Sequence, residues 1–149
     1  FPLWKWLIYI NRSVKMGKRR KSREHSLKIL YRRDITREDI DKIIKSYWKE
    51  NNINSGMTDF SEQLAKGTAN NLEKIDNYIK KVSEHWPLER MGIIDRNILR
   101  MAVHELLFMK DIPPKVTIDE AIEIAKKFGT DDSANFVNGL LDKIKKELE

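Results

Sequence analysis

The residues best suited to chemistry in this sequence are the cations of one short run, K-R-R-K-S-R at 18–23. Between Arg12 and Arg33 there are ten basic residues and one acid, Glu24, whereas the rest of the chain carries 19 basic and 22 acidic residues. Arginine suits phosphate because its planar guanidinium donates two parallel hydrogen bonds. A basic segment on a mildly acidic body predicts a polyanion-binding protein, and nucleic acid is favoured over a targeting signal or a solubilising surface.

A second stretch, F-G-T-D-D-S-A-N-F-V-N-G at 128–139, surrounds the predicted start of the last helix with aromatic, amide and hydroxyl groups. A helix N-terminus offers free backbone N–H groups to an anion, and an aromatic ring can stack on an unpaired base. Helical periodicity by itself, however, places Phe136 in the core.

The sequence offers no set of residues typical of catalysis or of a metal site. It has no cysteine, and His25, His85 and His104 lack the spacing of helical metal pairs. It also lacks a glycine-rich phosphate loop and a G-x-S-x-G motif. The Asp131–Asp132 pair is better suited to neutralising the end of a helix than to binding calcium. We therefore predict a protein that is not an enzyme and that needs no cofactor or metal.

The elements that position these residues are predicted to be helices, since apolar residues recur with helical period almost everywhere after Lys18. This pattern predicts an all-α, single-domain bundle of six or seven helices joined by short loops. The predicted buried faces comprise Leu27, Leu30 and Tyr31; Ile40, Ile43, Ile44 and Tyr47; Phe60, Leu64, Leu72, Ile75, Ile79 and Val82; Ile94, Ile98, Ala102 and Leu106; Ile118, Ala121, Ile122 and Ala125; and Phe136, Val137, Leu140, Leu141 and Ile144.

Local signals refine this prediction. Thr36 with Asp39 can cap the second helix, and Asp59 can cap a long third helix that reaches Val82. Gly67 interrupts the apolar stripe of that third helix and would permit close packing against a neighbour. The helix around residues 94–106 is apolar on several sides, so we expect it to be central. The basic run is expected to form a mobile arm ahead of the first packed helix.

The first ten residues, F-P-L-W-K-W-L-I-Y-I, are apolar apart from Lys5. They are too few to span a bilayer, which needs roughly 20 residues, and they lack the features of a signal peptide. Met16 directly precedes the basic run. We therefore divide the chain into residues 1–15, an upstream extension or a remnant of cloning, and residues 16–149, the functional helical domain.

Four segments resemble the NusB family of transcription antitermination proteins, in the family's order and over its usual length. They are RRKSRE at 19–24 with LY at 30–31, ILRMAVHEL at 98–106, DIPPKVTIDEAIEIAKKFG at 111–129 and FVNGLLD at 136–142. The resemblance implies two packed helical sub-bundles with about seven helices in total. It also implies a protein that binds boxA-type RNA together with NusE, a small-subunit ribosomal protein. Such a protein acts with the RNA polymerase antitermination complex to support ribosomal RNA transcription in the cytoplasm.

The resemblance also assigns roles to residues of this chain. The expected RNA-binding residues lie in the basic run and around the last helix, and they are Lys18, Arg19, Arg20, Lys21, Arg23, Lys127, Asp132 and Phe136. Tyr31 and Asp95 occupy positions that face NusE in the family. One departure is Asn135, where the family often has lysine, although Lys126 and Lys127 could partly replace it.

Three other functions fit the residues and stay open at this point. The same helical domain resembles the N-terminal part of some ribosomal RNA cytosine methyltransferases, whose long catalytic domain would follow residue 149. A bundle whose basic segment meets an acidic protein is a second alternative. A DNA-binding domain is a third, although no turn typical of a recognition helix is evident. A homodimer is possible, and no membrane association is expected.

Overall fold

The computed structural model describes residues 2–53 and 58–149, with side chains described for all of these except residue 6 and residues 8–16. The described part of the chain contains helices and no strand, which confirms the all-α prediction. The helices are α1 (Leu3–Thr36), α2 (Ile40–Asn51), α3 (Asp59–Asn70), α4 (Leu72–Val82), α5 (Ile93–Phe108), α6 (Pro114–Phe128) and α7 (Ser133–Leu148), and a 3-10 turn at Leu88–Arg90 lies between α4 and α5. None of these helices is both long and apolar enough to cross a bilayer.

The helices pack as two groups that share α5. Helices α1, α2 and α3 contact one another, and α4, α6 and α7 form a second group. Helix α5 contacts both groups and is buried continuously from Asn97 to Leu106, so the predicted central helix is confirmed. Its side chains Ile98, Leu99 and Val103 have no exposed surface. Burying each such side chain contributes about 1.5–3 kcal/mol.

Most of the predicted core faces are buried as expected, including Leu27, Leu30, Ile75 and Ile79. A few, such as Phe136, are half-buried, and Tyr31 is exposed, with 38% of its surface accessible. The buried face of α1 runs through Leu27, Leu30 and Asp34, which leaves Tyr31 at its edge. A residue that the periodicity placed inside is therefore available to a partner.

The prediction of one long third helix is wrong, because the chain forms α3 and α4 with a break at Asn71. The Asn71 side chain donates to the carbonyl of Gly67, and its backbone N–H reaches the carbonyls of Gly67 and Thr68. The predicted close approach at Gly67 is confirmed, since the ring of His104 on α5 occupies the space that a Cβ there would need. Both α3 and α4 contact α5, so the break at Asn71 divides this side of the bundle into two separate helices.

The start of α2 and the course of α1 differ from the prediction in one respect each. Asp39 alone caps α2 by accepting a hydrogen bond from the backbone of Lys42, while Thr36 is the last residue of α1. The basic run lies inside α1 rather than forming a mobile arm before it. The helix also continues across the predicted boundary between residues 15 and 16. Because the basic run is helical, the position of each residue in the sequence decides which side of α1 it lies on.

Candidate nucleic-acid interface

The helical path of α1 separates the basic run into exposed and buried members. Lys18, Arg20 and Lys21 are exposed and Arg19 is half-buried, whereas Arg23 is 3% exposed. Successive helical side chains are rotated by about 100°, so five cations within six consecutive residues cannot all face the same way. The run therefore contributes exposed cations to the surface and one buried cation to the core.

Arg23 is the core contact, and its burial argues against the RNA-binding role that the sequence predicts for it. Its Nε and Nη2 donate to the two carboxylate oxygens of Glu105 on α5, at 2.9 and 2.7 Å, and both side chains are 3% exposed. The hydroxyl of Thr117 on α6 donates to the same carboxylate at 3.2 Å. Moving Arg23 to a phosphate would leave Glu105 buried and unpaired, which is strongly unfavourable.

The exposed cations meet two lysines from α6 on a surface that we call the basic face, made of Arg20, Lys21, Lys28, Lys126 and Lys127. The side chains of Arg20, Lys21, Lys126 and Lys127 are 46–60% exposed. A shallow cleft of about 350 Å³ between α1 and α6 is lined by Arg20, Glu24, Glu123, Ile124, Lys126 and Lys127. Cations from two helices thus converge on one opening, which is the geometry that a phosphate chain requires.

Two buried carboxylates lie beneath this face. Glu120 of α6 accepts hydrogen bonds from Nε and Nη2 of Arg20 at 2.7 and 3.0 Å. Glu24 of α1 accepts a hydrogen bond from Lys127 at 2.9 Å, and Lys21 lies 3.5 Å from its other oxygen. These pairs join α1 to α6, so the position of the basic face depends on both helices.

The surroundings of Arg20 and Glu24 favour the charged form of each side chain. The hydrogen bond to Glu120 raises the pKa of Arg20 above its usual value. Burial raises the pKa of Glu24, but the hydrogen bond from Lys127 and the charges of Lys127 and Lys21 outweigh burial, and the net pKa is lowered. Arg20 is therefore cationic and Glu24 anionic at neutral pH.

Two phenylalanines support the basic side chains through cation–π contacts. The guanidinium groups of Arg19 and Arg23 lie 5.0 and 5.3 Å from the ring centre of Phe60 on α3. The ammonium groups of Lys28 and Lys127 lie 5.7 and 5.3 Å from the ring centre of Phe128. Arg19 therefore leans towards α3, away from the cleft, whereas Phe128 orders the lysines of the basic face.

The predicted residues around the last helix lie in two places. Asp132 is exposed directly before α7 and makes no side-chain capping hydrogen bond. Phe136, one turn into α7, is half-buried and lines a separate groove of about 630 Å³ between α7 and the end of α4. The residues that line this groove include none of the basic face, so Phe136 and the basic cleft are separate parts of the surface.

The same groove contains functional candidates that the sequence reasoning missed. Trp86 is 51% exposed beside Phe136, and the other lining residues include His85 and the lysines Lys81, Lys143 and Lys146. Two aromatic rings beside lysines form a surface on which a base can stack while its phosphates are neutralised. The sequence offered one weak signal, a tryptophan directly before a proline and outside the predicted apolar stripes.

The positions expected to meet a protein partner lie on neighbouring helices. Tyr31 of α1 is 38% exposed, and Asp95 of α5 is half-buried; Ile35, which was not predicted, is 53% exposed on the next turn of α1. Asp34, which is buried one turn after Tyr31, accepts hydrogen bonds from the side chains of Arg96 at 2.7 Å and Asn97 at 2.9 Å.

Arg100 donates to the same carboxylate oxygen of Asp34 at 3.2 Å and also forms a bidentate pair with Asp76 of α4. Burial raises the pKa of Asp34, but the hydrogen bonds from Arg96 and Asn97 outweigh burial and lower it overall. This network holds the C-terminal part of α1 against α5.

Catalytic or metal-binding constellations are not evident in the described part of the chain, where no group of three histidine or acidic side chains could hold a metal ion. His25 is within 2.6 Å of the Tyr47 hydroxyl, and burial, followed by the charges of Lys21 and Lys28, lowers its pKa. His104 is buried against Gly67, and burial lowers its pKa. Both histidines therefore serve packing contacts.

Comparisons with known proteins agree with this architecture. The model of the NusB family matches residues 20–146. A transcription antitermination protein NusB of Desulfitobacterium hafniense is 46% identical over 128 residues, which cover 85% of this chain and 86% of the relative. One from Geobacter sp. strain M21 is 44% identical over 137 residues, covering 87% of this chain and 94% of the relative.

Solved structures give the same result. The T. maritima NusB structure superposes with a TM-score of 0.80 at 44% identity and covers 87% of this chain and 91% of its own. A crystal structure of the antitermination factors NusB and NusE in complex with dsRNA gives a TM-score of 0.80 at 31% identity, covering 89% and 98%. By sequence and by fold, this chain belongs to the NusB family.

Proposed function

We propose that this protein is an RNA-binding transcription antitermination factor that binds boxA-type single-stranded RNA together with NusE and supports ribosomal RNA transcription in the cytoplasm. The observation that carries the proposal is the convergence of cations from α1 and α6 on one cleft. The names of the relatives support the antitermination role, and a related structure that contains NusB, NusE and RNA supports the partners.

In this proposal the surface acts as a passive clamp with two functions. Lys18, Arg20, Lys21 and Lys127, with Lys28 and Lys126, neutralise phosphates and supply affinity. Phe136 and Trp86 stack on unpaired bases and supply selectivity, and Asp132 at the start of α7 borders the RNA path. Arg19 contributes charge from the α3 side.

NusE would bind a different part of the surface, around Tyr31 and Asp95. Ile35 extends this area because its side chain is half exposed on the next turn of α1. NusE bound there would tighten the RNA complex by adding its own contacts to the RNA, without covering the cleft between α1 and α6.

The test is fluorescence anisotropy with a labelled boxA-type RNA, a scrambled RNA of the same length and a duplex RNA, each with and without NusE. We expect tighter binding to the boxA-type RNA, further tightened by NusE. For about four neutralised phosphates, log K should fall with log salt at a slope of roughly −3. A slope near zero would remove the basic face from the mechanism.

The same assay separates the alternatives. Binding to an acidic peptide in preference to every RNA would favour a protein-interaction domain. Equal affinity for boxA-type and scrambled RNA would limit the function to nonspecific RNA binding. Replacing Phe136 or Trp86 with alanine should lower affinity for the boxA-type RNA by about 1–3 kcal/mol per stacked base, provided that circular dichroism shows an intact fold.

A further inference from the structure

The basic face is supported by a carboxylate that is shielded from solvent. The side chain of Glu120 is 5% exposed, whereas that of Arg20, which it holds, is 46% exposed. A carboxylate so close to a phosphate-binding surface opposes the phosphate charge. Its presence beneath this surface therefore needs a physical explanation.

The hydrogen-bond pattern provides one. Glu120 accepts hydrogen bonds from Nε and Nη2 of Arg20, and Nη1 forms no hydrogen bond with any residue whose side chain the structure describes. The bidentate contact thus occupies one edge of the planar guanidinium and leaves Nη1 available. An unrestrained arginine would have to be ordered when a phosphate binds, whereas this one is ordered beforehand.

We propose that Glu120 is a positioning residue for RNA binding, which fixes the guanidinium of Arg20 beside the α1–α6 cleft so that Nη1 can donate to a phosphate. This inference rests on the proposed RNA-binding function. A buried acidic side chain then favours the binding of an anion, although its own negative charge repels that anion.

The opposite signs make the inference testable. Glu120→Gln removes one negative charge, which by electrostatics alone would tighten RNA binding. The glutamine amide, however, cannot accept both hydrogen bonds from Arg20, so the guanidinium loses its fixed orientation. We expect binding to weaken by about three- to tenfold, the effect of one arginine that must be ordered on binding.

Glu123→Gln is the matched control. Glu123 lies in the same helix, lines the same cleft and is 46% exposed, where it pairs with Lys126 at 3.3 Å. This variant makes the same charge change without releasing Arg20. We expect RNA binding to tighten by about twofold, as is usual for a screened surface charge.

A coupling experiment separates positioning from a purely structural role. Arg20→Gln removes the cation that Glu120 positions while leaving an amide donor for the carboxylate. In this background Glu120→Gln should no longer weaken binding, because no guanidinium remains to be oriented. Equal weakening in both backgrounds would overturn the inference, as would tightening by Glu120→Gln in the native background.

The experiment uses the full chain, single-stranded boxA-type RNA and several salt concentrations, with circular dichroism as the check on folding. If Glu120→Gln does not fold, Glu120→Asp retains the charge and withdraws the carboxylate by one methylene. We expect this variant also to weaken binding, and native affinity would overturn the inference. Failure of the unaltered chain to bind RNA would instead overturn the proposed function itself.

Discussion

Arg20 and Arg23 lie one helical turn apart in the same basic run, yet they serve opposite purposes. Arg20 is about half exposed over Glu120, whereas Arg23 is enclosed with Glu105 and Thr117. Both guanidiniums form bidentate contacts with a buried carboxylate, and the difference lies in which helix supplies it. Glu105 belongs to the central helix α5, while Glu120 belongs to α6 at the periphery.

The comparison shows that the carboxylate each cation meets, and not its residue type, decides whether the cation supports the core or stays at the surface. The charges facing α5 hold the fold together, and the Asp34 network with Arg96 and Arg100 extends the same arrangement along α1. The charges facing α6 remain open to solvent. Variants on the two sides should therefore separate stability from RNA binding.

The largest effect is expected from Arg23→Ala. The change leaves Glu105 buried without its cation, and breaking a buried pair in this way costs about 3–5 kcal/mol in the free energy of unfolding. Urea denaturation measures the loss. Arg19→Ala is the control from the same run, and it should cost at most about 1 kcal/mol because it loses one cation–π contact with Phe60. Equal losses in the two variants would abolish the distinction between buried and surface members.

An intermediate effect is expected at Asp34, and it depends on pH. The pKa of Asp34 is lowered in the folded protein, so its stabilising contribution is present above the ordinary value of 3.8 and is lost as the pH falls through the folded pKa. Asp34→Asn should lower the free energy of unfolding by about 2 kcal/mol at pH 7, from weakened hydrogen bonds to charged groups.

Urea denaturation of both proteins at several pH values between 7 and 2.5 gives the measurement. The difference between native protein and variant should shrink below pH 3.8. A difference that stays constant across this range would show that the carboxylate charge of Asp34 does not stabilise the fold. Arg23 would then be the remaining evidence that the buried ion pairs of α1 stabilise the protein.

The smallest effect is expected from Lys18→Ala, which changes RNA binding without changing stability. Lys18 is exposed one turn before Lys21 and forms no ion pair with the residues that the structure describes. Losing one phosphate contact should make the slope of log K against log salt less negative by about 0.7. The free energy of unfolding should change by no more than about 0.5 kcal/mol. Lys45→Ala removes another exposed lysine, which lies on α2; it is the control and should leave the slope unchanged.

Much of the fold could be predicted from the sequence because burial follows a regular period. The stripe through Leu27 and Leu30 and the all-round apolar character of α5 each indicate a helix and the side that it buries. The break at Asn71 could not be predicted in the same way. It depends on side-chain and backbone hydrogen bonds to the preceding turn, which leave the apolar period on both sides unchanged.

The candidate site was predictable in its chemistry and less so in its membership. Residue types alone indicated phosphate binding, and the residues of α6 and α7 could be named through the family. Trp86 was missed because an isolated aromatic residue carries no period, and its place beside Phe136 arises only from the packing of α7 on α4.

By itself, the sequence determined that this protein is helical, that it concentrates positive charge at one end and that it belongs with RNA-binding proteins of one family. Only the tertiary structure decided that Arg23 supports the core while Arg20 and Lys127 face solvent over buried carboxylates. The physical reason is that burial and ion pairing depend on groups some hundred positions away, such as Glu120 for Arg20. No local pattern around either residue encodes that distance.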